Sequence, residues 1–359
     1  MLETDNVPTP LLPGEIVASS AISKGISNLV PIPSSCLWSR SCADVSPKRS
    51  STRGLPPASE VPLDGSILAE SALPAAAATA AAFEARITLF HVLEEWAPET
   101  VHGHPHLTDA EQAQAYLAEV SGRPIFRDRQ VDTHVHRART GDVADSIMAH
   151  ADELGADLVV LSTHGQGGLK SLLVGSIALR ALTRGRTPIL LVNPTATGQA
   201  PPFACRKILV PLDGTAAHEP SLPVALRLAR GWGAALHLVV VVPTAGTLSG
   251  HLAATGLLMP RATRAMLDLA EREAQAYLKS LGAGFGAQGL SATWSVSRGE
   301  PVAALIDAAR ATEADLVVVA THARGALEGF WSGSVTPKLM QRLGRPIVLV
   351  RAEGHDEVR

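Results

Sequence analysis

Two kinds of segment in this chain combine residue types and spacing that suit the binding of an anionic ligand. The first is Thr163-His-Gly-Gln-Gly-Gly168, followed by Lys170 and then by Gly175-Ser176. Glycine has no Cβ, so main-chain N–H groups in such a turn can close on a phosphate. Gly175-Ser176 reads as the opening of a helix, with Ile177 in its first turn. A helix start favours an anion through its free N–H groups and its dipole. Ser176 is suited to cap that helix and to donate its hydroxyl to a phosphate oxygen. The second segment is Pro62-Leu63-Asp64-Gly65-Ser66, which returns as Pro211-Leu-Asp213-Gly-Thr215. An Asp before Gly is an ordinary turn residue or helix cap, and its position at a strand end makes it a candidate ligand contact.

Those residues need a frame, and the chain supplies it twice. Ala156-Asp-Leu-Val-Val-Leu-Ser-Thr-His164 returns as Ala314-Asp-Leu-Val-Val-Val-Ala-Thr-His322, and Gly175-Ser176 returns as Gly333-Ser334. Thr187-Pro-Ile-Leu-Leu-Val192 returns as Arg345-Pro-Ile-Val-Leu-Val350. Several blocks in one order mean an internal duplication. The later blocks lie at a larger offset, so the second copy carries extra residues between its second and fourth strands. Ile208–Leu212 is a continuous apolar run, as a strand buried on both faces requires. Leu236–Val242, Ala292–Val296, Leu316–Ala320 and Pro346–Val350 read as further strands. Pro220–Arg230, Arg264–Leu281 and Val302–Ala311 read as helices. The first copy follows the plan at Ile87–Leu93, Asp132–His136, Leu158–Leu161 and Ile189–Val192. Alternating strands and helices imply doubly wound parallel sheets with right-handed crossovers. Ligands then bind beyond the carboxyl ends of the strands, near the switch in strand order.

On these residues the chain resembles the universal stress protein family, over about residues 59–194 and 205–352. That family pairs an Asp ending strand one with a Gly-x2-Gly-x9-Gly-Ser/Thr loop after strand four. The resemblance implies an α/β fold, adenine nucleotide alpha hydrolase-like, with two tandem doubly wound domains and five-stranded parallel sheets. It implies ATP as ligand, with AMP or a cyclic nucleotide as alternatives, and Mg2+ as a companion ion. In copy one it assigns the site to Pro62, Leu63, Asp64, Val92, Ser162, His164, Gly165, Gly168, Gly175, Ser176 and Ile177. In copy two it assigns Pro211, Asp213, Val241, Ala323, Gly333, Ser334 and Val335. The loop is implied to hold phosphates, the aspartate to lie near ribose or metal, and the strand-two backbone to meet adenine. The loop of copy one has Ser162 where the family has its first glycine. Copy two departs further, with Ala320, Ala323, Ala326 and Glu328 at the matching places. A methyl group opposes a positive φ and Glu328 repels phosphate, although Arg324 offsets part of that. Copy one is therefore expected to bind nucleotide more tightly than copy two.

Composition bounds the rest. The 359 residues are 46% apolar and 18% charged, with 4% aromatics, so the core is built from small aliphatic side chains. A net charge of −3 argues against a nucleic-acid binder and a polybasic membrane contact. No run of about 18 apolar residues occurs, so no spanning helix is expected. Cys36, Cys42 and Cys205 form neither a disulfide framework nor a CxxC pair, and the N-terminus has no signal pattern, so the cytoplasm is the expected compartment. Residues 1–58 are Ser- and Pro-rich and read as disordered or as non-native sequence. The domains are then 59–196 and 205–352, with a linker at 197–204 and a tail at 353–359.

The first strand of copy one is a conflict. Pro56, Pro57, Ala58, Ser59 and Glu60 precede Pro62, where copy two has Lys207-Ile-Leu-Val210, so this strand is expected to be truncated or frayed. His102-Gly-His104-Pro-His106 reads as a loop before it reads as a metal site. Trp232, Trp294 and Trp331 read as core or interface fillers. No nucleophile with a base and an orienting acid is present, nor a Walker loop, so no enzymatic activity is expected. The alternatives are a slow ATPase and a nucleotide-free interaction module. The apolar strands Ile189–Val192 and Ile347–Val350 need covering. The family resemblance implies that the two copies pair there as an internal pseudo-dimer, with association of two chains as a further step.

Overall fold

The computed structural model describes residues 58–94, 100–101, 104–105, 107–138, 143–163, 176–194, 202–215, 218–248, 250–321 and 335–352. The first copy runs β1 (Ala58–Pro62), α1 (Ile67–Glu70), α2 (Leu73–Phe83), β2 (Arg86–Glu94), β3 (Thr100–Val101), β4 (His104–Pro105) and α3 (Ala110–Ser121). It continues through β5 (Val131–Ala138), α4 (Val143–Leu154), β6 (Leu158–Ser162), α5 (Ser176–Arg184) and β7 (Ile189–Val192). The second copy runs β8 (Lys207–Leu212), α6 (Ser221–Trp232), β9 (Ala235–Val242), α7 (Gly250–Leu258), α8 (Pro260–Ala287) and β10 (Ala292–Arg298). It ends with α9 (Pro301–Ala311), β11 (Leu316–Thr321), α10 (Val335–Arg342) and β12 (Ile347–Arg351). Local chemistry starts the helices: Asp109 accepts the Glu111 and Gln112 N–H groups at α3, and Glu300 accepts those of Val302 and Ala303 at α9, ahead of Pro301.

The main strands of each copy are parallel to one another. Their order is β5-β2-β1-β6-β7 in the first copy and β10-β9-β8-β11-β12 in the second. The halves join edge to edge. β7 pairs antiparallel with β12 at Ile347–Leu191, Val348–Leu190 and Leu349–Ile189, giving one ten-stranded sheet. The two apolar edges thus cover each other. Alternate strand residues feed two cores. Val61, Ile87, Ile208 and Val210 pack under α2, α3, α6 and α8. Phe90, Val159, Leu209 and Val239 pack under α4, α5, α9 and α10.

The helices also cross the boundary between copies. The Ala-rich α2 packs on α6, where the Phe83 ring meets Trp232 edge-on at 6.2 Å between centroids. Phe203 lies 5.4 Å from the same indole. Gly231 makes this approach possible, because a Cβ there would collide with the Phe83 ring. Arg227 of α6 pairs with Asp157 at 2.5 Å.

Three expectations are corrected. β1 is not truncated: it is a central strand, paired parallel to β2 from Ala58 to Pro62 and to β6 at Ser59 and Glu60. Backbone bonding carries it. Asp157 Oδ2 accepts the Ala58 N–H at 3.2 Å, as Asp315 Oδ2 accepts those of Arg206 and Lys207 at 2.8 and 3.1 Å. Pro56 and Pro57 precede the strand, and Pro62 is its last residue. The composition is accommodated inside the core, where Glu60 is fully buried at the repeat position of Leu209. Its Oε1 lies 3.3 Å from His150 Nδ1, without hydrogen-bond alignment, so both carboxylate oxygens lack a hydrogen-bond partner. Burial pushes the Glu60 carboxyl above its usual range, and His150 pulls it back only in part. The His150 ring stacks with Phe90 at 4.1 Å and with His134 at 4.4 Å, in one three-ring cluster.

The second correction is α7, a helix the sequence did not suggest, and the earlier start of α8. Glycines at 250 and 256 and a flat hydrophobic pattern hide α7 in the sequence. Its end leaves Leu257, Leu258 and Met259 exposed. The third is Trp294, which is 38% exposed on the outer strand β10 rather than a core filler. Cys205 is buried, and burial pushes its thiol up to about 12, with the charge of Asp315 adding to the effect. The readings for residues 1–57, the 195–201 linker region, Cys36, Cys42, His102, His106, Trp331 and the 353–359 tail fall outside the described residues.

Candidate functional site

β1 and β8 are the strands at which the winding of each half reverses, so the switch points lie between β1 and β6 and between β8 and β11. Asp64 and Asp213 stand one residue or two beyond the ends of those strands. The place follows from local chemistry. Gly65 and Gly214 take φ of +85° and +78°, the turn conformation that favours glycine. Asp64 Oδ1 accepts the Ser66 N–H at 2.9 Å, and Ser66 Oγ in turn caps α1 at Ala69 N, 3.1 Å away. Asp213 Oδ1 accepts Thr215 N and Thr215 Oγ1 at 2.9 and 2.7 Å. Its Oδ2 faces His218 Nδ1 at 2.8 Å. Burial is the largest single influence on Asp213 and acts upward. The bonds from His218 and Thr215 together outweigh it and hold the carboxyl below its usual range.

The other expected residues fall around these two aspartates where they are described. Pro62 is the last residue of β1, and the Leu63 N–H donates to Phe90 O at 2.8 Å. His91 bridges the carbonyls of Leu63 and Leu107, at 2.7 and 3.1 Å. Val92 and Val241 lie near the carboxyl ends of β2 and β9, each beside the central strand of its copy. Pro211 is in β8, level with Val239. Ser162 ends β6, and Thr163 after it donates its hydroxyl to Asn193 Oδ1 at 2.7 Å. Ser176 opens α5, with Ile177 exposed in its first turn, and Val335 opens α10. His164, Gly165, Gly168, Gly175, Ala323, Gly333 and Ser334 lie outside the described residues, as do Lys170 and Glu328.

Sequence reasoning missed a second layer behind each aspartate. The chain's two tyrosines occupy matching places. Tyr116 Oη donates to Glu70 Oε1 at 3.1 Å, and Tyr277 Oη donates to Glu219 Oε1 at 3.2 Å. Both hydroxyls are pushed well above the usual tyrosine range, first by burial and then by the glutamate. Asp64 adds to the effect on Tyr116 and Asp213 to that on Tyr277. Arg123 grips Glu70 through two nitrogens at 2.8 and 3.1 Å. The signal was in the repeat, since Glu70 and Glu219 stand at the same distance from Asp64 and Asp213 along the chain. Among the described residues no three His, Cys, Asp or Glu side chains are grouped to hold a metal ion, and no helix is long and apolar enough to cross a membrane.

Comparison with known proteins agrees with this fold. The sequence model of the Universal stress protein family matches residues 61–193 and again residues 204–351. A universal stress protein of Mycolicibacterium smegmatis is 27% identical over 304 residues, which cover 81% of this chain and 96% of that protein. Universal stress protein YxiE of Bacillus subtilis is 27% identical over 143 residues, 37% of this chain and 96% of its own length. Among solved structures, a universal stress protein from Archaeoglobus fulgidus superimposes with a TM-score of 0.59 at 14% identity, covering 84% of this chain and 97% of that one. Two matches of one family model, in tandem and over most of the length, place this chain in the universal stress protein family.

Proposed function

We propose that this protein is a stress-response regulatory protein that binds an adenine nucleotide, ATP first among the candidates, at the carboxyl ends of both half-sheets. The supporting observation is the paired placement of Asp64 and Asp213 at the two switch points, each backed by a Tyr–Glu hydrogen bond. A carboxylate there can accept hydrogen bonds from the hydroxyls of a sugar. The ends of β2 and β9, at Val92 and Val241, offer backbone groups to a base. The loops from Ser162 to Ser176 and from Ala320 to Ser334 supply the phosphate contacts in this reading. Mg2+ would arrive with the phosphates and needs few protein ligands, with Asp64 as its carboxylate.

The residues assigned here bind and orient, and none is assigned a bond-breaking step. Nucleotide binding would act by biasing which partner the chain engages. In this reading the β7–β12 seam makes an intramolecular pseudo-dimer in the cytoplasm, and two chains associate further.

Mass spectrometry of small molecules released from the purified chain identifies the ligand and separates ATP from AMP and cyclic nucleotides. Titration calorimetry with ATP should show binding that weakens on Asp64→Ala. Absence of released nucleotide, together with no heat at millimolar ATP, overturns the proposal. Phosphate release that is lost with Asp64→Ala would favour an ATPase instead.

A further inference from the structure

The most exposed large apolar side chains among the described residues sit together. Leu257 is 86% exposed, Leu258 83% and Met259 56%. They form the turn between α7 and α8, and α7 has no counterpart helix among the described residues of copy one. The turn is anchored to the body of copy two. Gly256 of α7 faces Leu248 and Thr263, both buried, while Leu252 and Ala253 pack on the core. The Met259 N–H donates to the Thr255 carbonyl at 2.8 Å, and the Thr263 N–H donates to the Met259 carbonyl at 3.0 Å. Hydrogen-bonded backbone thus holds three large apolar side chains out into water, a placement that marks a contact surface.

The charge around this turn has one sign. Arg261 and Arg264 follow it at the start of α8, on one face of that helix, and both are exposed. No Asp or Glu occurs between Glu219 and Asp268. Asp268 and Glu271, the first acids after the turn, are both engaged by Arg298 of β10. The corresponding connection of copy one, from β2 to α3, is acidic instead, with Glu94, Glu95, Glu99 and Asp109. The negative net charge of the whole chain does not govern this patch, because exposed charges act over a Debye length of about 8 Å at physiological salt. Shape narrows the partner further. A protruding tip offers no concave wall in which a ligand or a folded partner's side chain could lodge. A lipid interface takes in a convex apolar group of any outline.

We propose that the α7–α8 turn is a membrane-contact site: Leu257, Leu258 and Met259 enter the acyl boundary of a bilayer whose anionic headgroups are met by Arg261 and Arg264. Two leucines, a methionine and two arginines give a weak, reversible, peripheral contact. The turn follows the carboxyl end of β9, on the same margin of copy two as Asp213. There Thr247 Oγ1 donates to the Gly299 carbonyl beyond β10 at 3.4 Å. Docking therefore turns copy two toward the lipid and leaves Asp64 toward water. The proposal is independent of the nucleotide reading.

The test is co-sedimentation of the full chain with vesicles of phosphatidylcholine and phosphatidylglycerol, beside vesicles of phosphatidylcholine alone. The parent should partition onto the anionic vesicles, and less so as salt is raised. Leu257→Ser with Leu258→Ser should lower that partition at least about tenfold, the scale of removing two apolar side chains from the acyl boundary. Arg261→Gln with Arg264→Gln should lower it about tenfold on the anionic vesicles. All four positions are exposed, and circular dichroism with thermal melting checks that each variant is folded. The arginine pair tests the surface without altering the apolar tip. The proposal is wrong if the parent stays off the anionic vesicles, if either double variant partitions like the parent, or if phosphatidylcholine alone binds the chain as well. Sedimentation velocity identifies the competing occupant: self-association abolished by the leucine pair, with no vesicle binding, would make the tip a contact between two copies of this chain.

Discussion

Gly231 of α6 lies against the ring of Phe83 of α2, so closely that a Cβ at position 231 would collide with the ring. This contact sets how near the two copies stand on that face. Gly231→Ala gains up to about 1 kcal/mol of helix propensity. Overpacking the contact costs about 1–3 kcal/mol. Phe83 cannot yield freely, because Trp232 stands beside it. Net destabilisation of about 1–2 kcal/mol is expected in urea unfolding. The pair Gly231→Ala with Phe83→Leu should recover part of it.

The buried Glu60–His150 contact is expected to cost the fold stability. Copy two has Leu209 and Ala308 at the matching repeat positions, and both are buried. Replacing a buried ionic pair by apolar residues is neutral or stabilising by about 1–4 kcal/mol, whereas removing one partner is destabilising. Glu60→Leu with His150→Ala should therefore raise the melting temperature, and His150→Ala alone should lower it. A double-variant chain less stable than the parent would contradict this reading of the core.

Stability should also depend on pH through Glu60. Its folded-state pKa is raised, so the folded chain holds the proton more tightly than the unfolded chain. The associated stability is fully present below the ordinary value of 4.5 and is lost as pH rises through the folded value. His134 acts in the opposite sense. Burial and the neighbouring rings of His150 and His136 lower its pKa, with Glu153 opposing them, so its contribution is lost as pH falls below 6.5. Comparing the parent with Glu60→Gln isolates the carboxyl. As pH rises above 4.5 the parent should lose stability relative to the variant, by at most about 1.4 kcal/mol per pH unit. Parallel curves for the two proteins would rule the carboxyl out as the source.

Asp157 makes two contacts of unequal weight. It accepts the Ala58 N–H that starts the central strand and pairs with Arg227 across the two copies. The ion pair is 42% and 37% exposed, so water screens it, and Arg227→Ala should cost under about 1 kcal/mol. Asp157→Ala also leaves a buried strand end unsatisfied and should cost about 1–3 kcal/mol. Equal costs for the two variants would show that the ion pair, not the strand bond, dominates.

The sequence made the second copy legible because its strands are apolar runs. Leu316–Thr321 is buried throughout and reads as such. β1 was misread because its partners, not its side chains, make it a strand, and the Asp157 acceptor lies 99 residues away. The aspartates were placed correctly beyond β1 and β8 from the repeated Pro-Leu-Asp motif. The Tyr–Glu layer was not found, since it joins residues 46 and 58 apart. The His218–Asp213 contact was not found either, since it depends on how the chain turns after β8 rather than on residue type. Composition alone carries none of these long-range or turn-dependent contacts.

The antiparallel seam between β7 and β12 has a geometric outcome. All main strands of one half point one way and those of the other half point the opposite way, so Asp64 and Asp213 face outward from opposite margins of a single slab. A molecule bound at one cannot touch or pass to a molecule bound at the other. A molecule that touched both aspartates at once would have to reach around the slab.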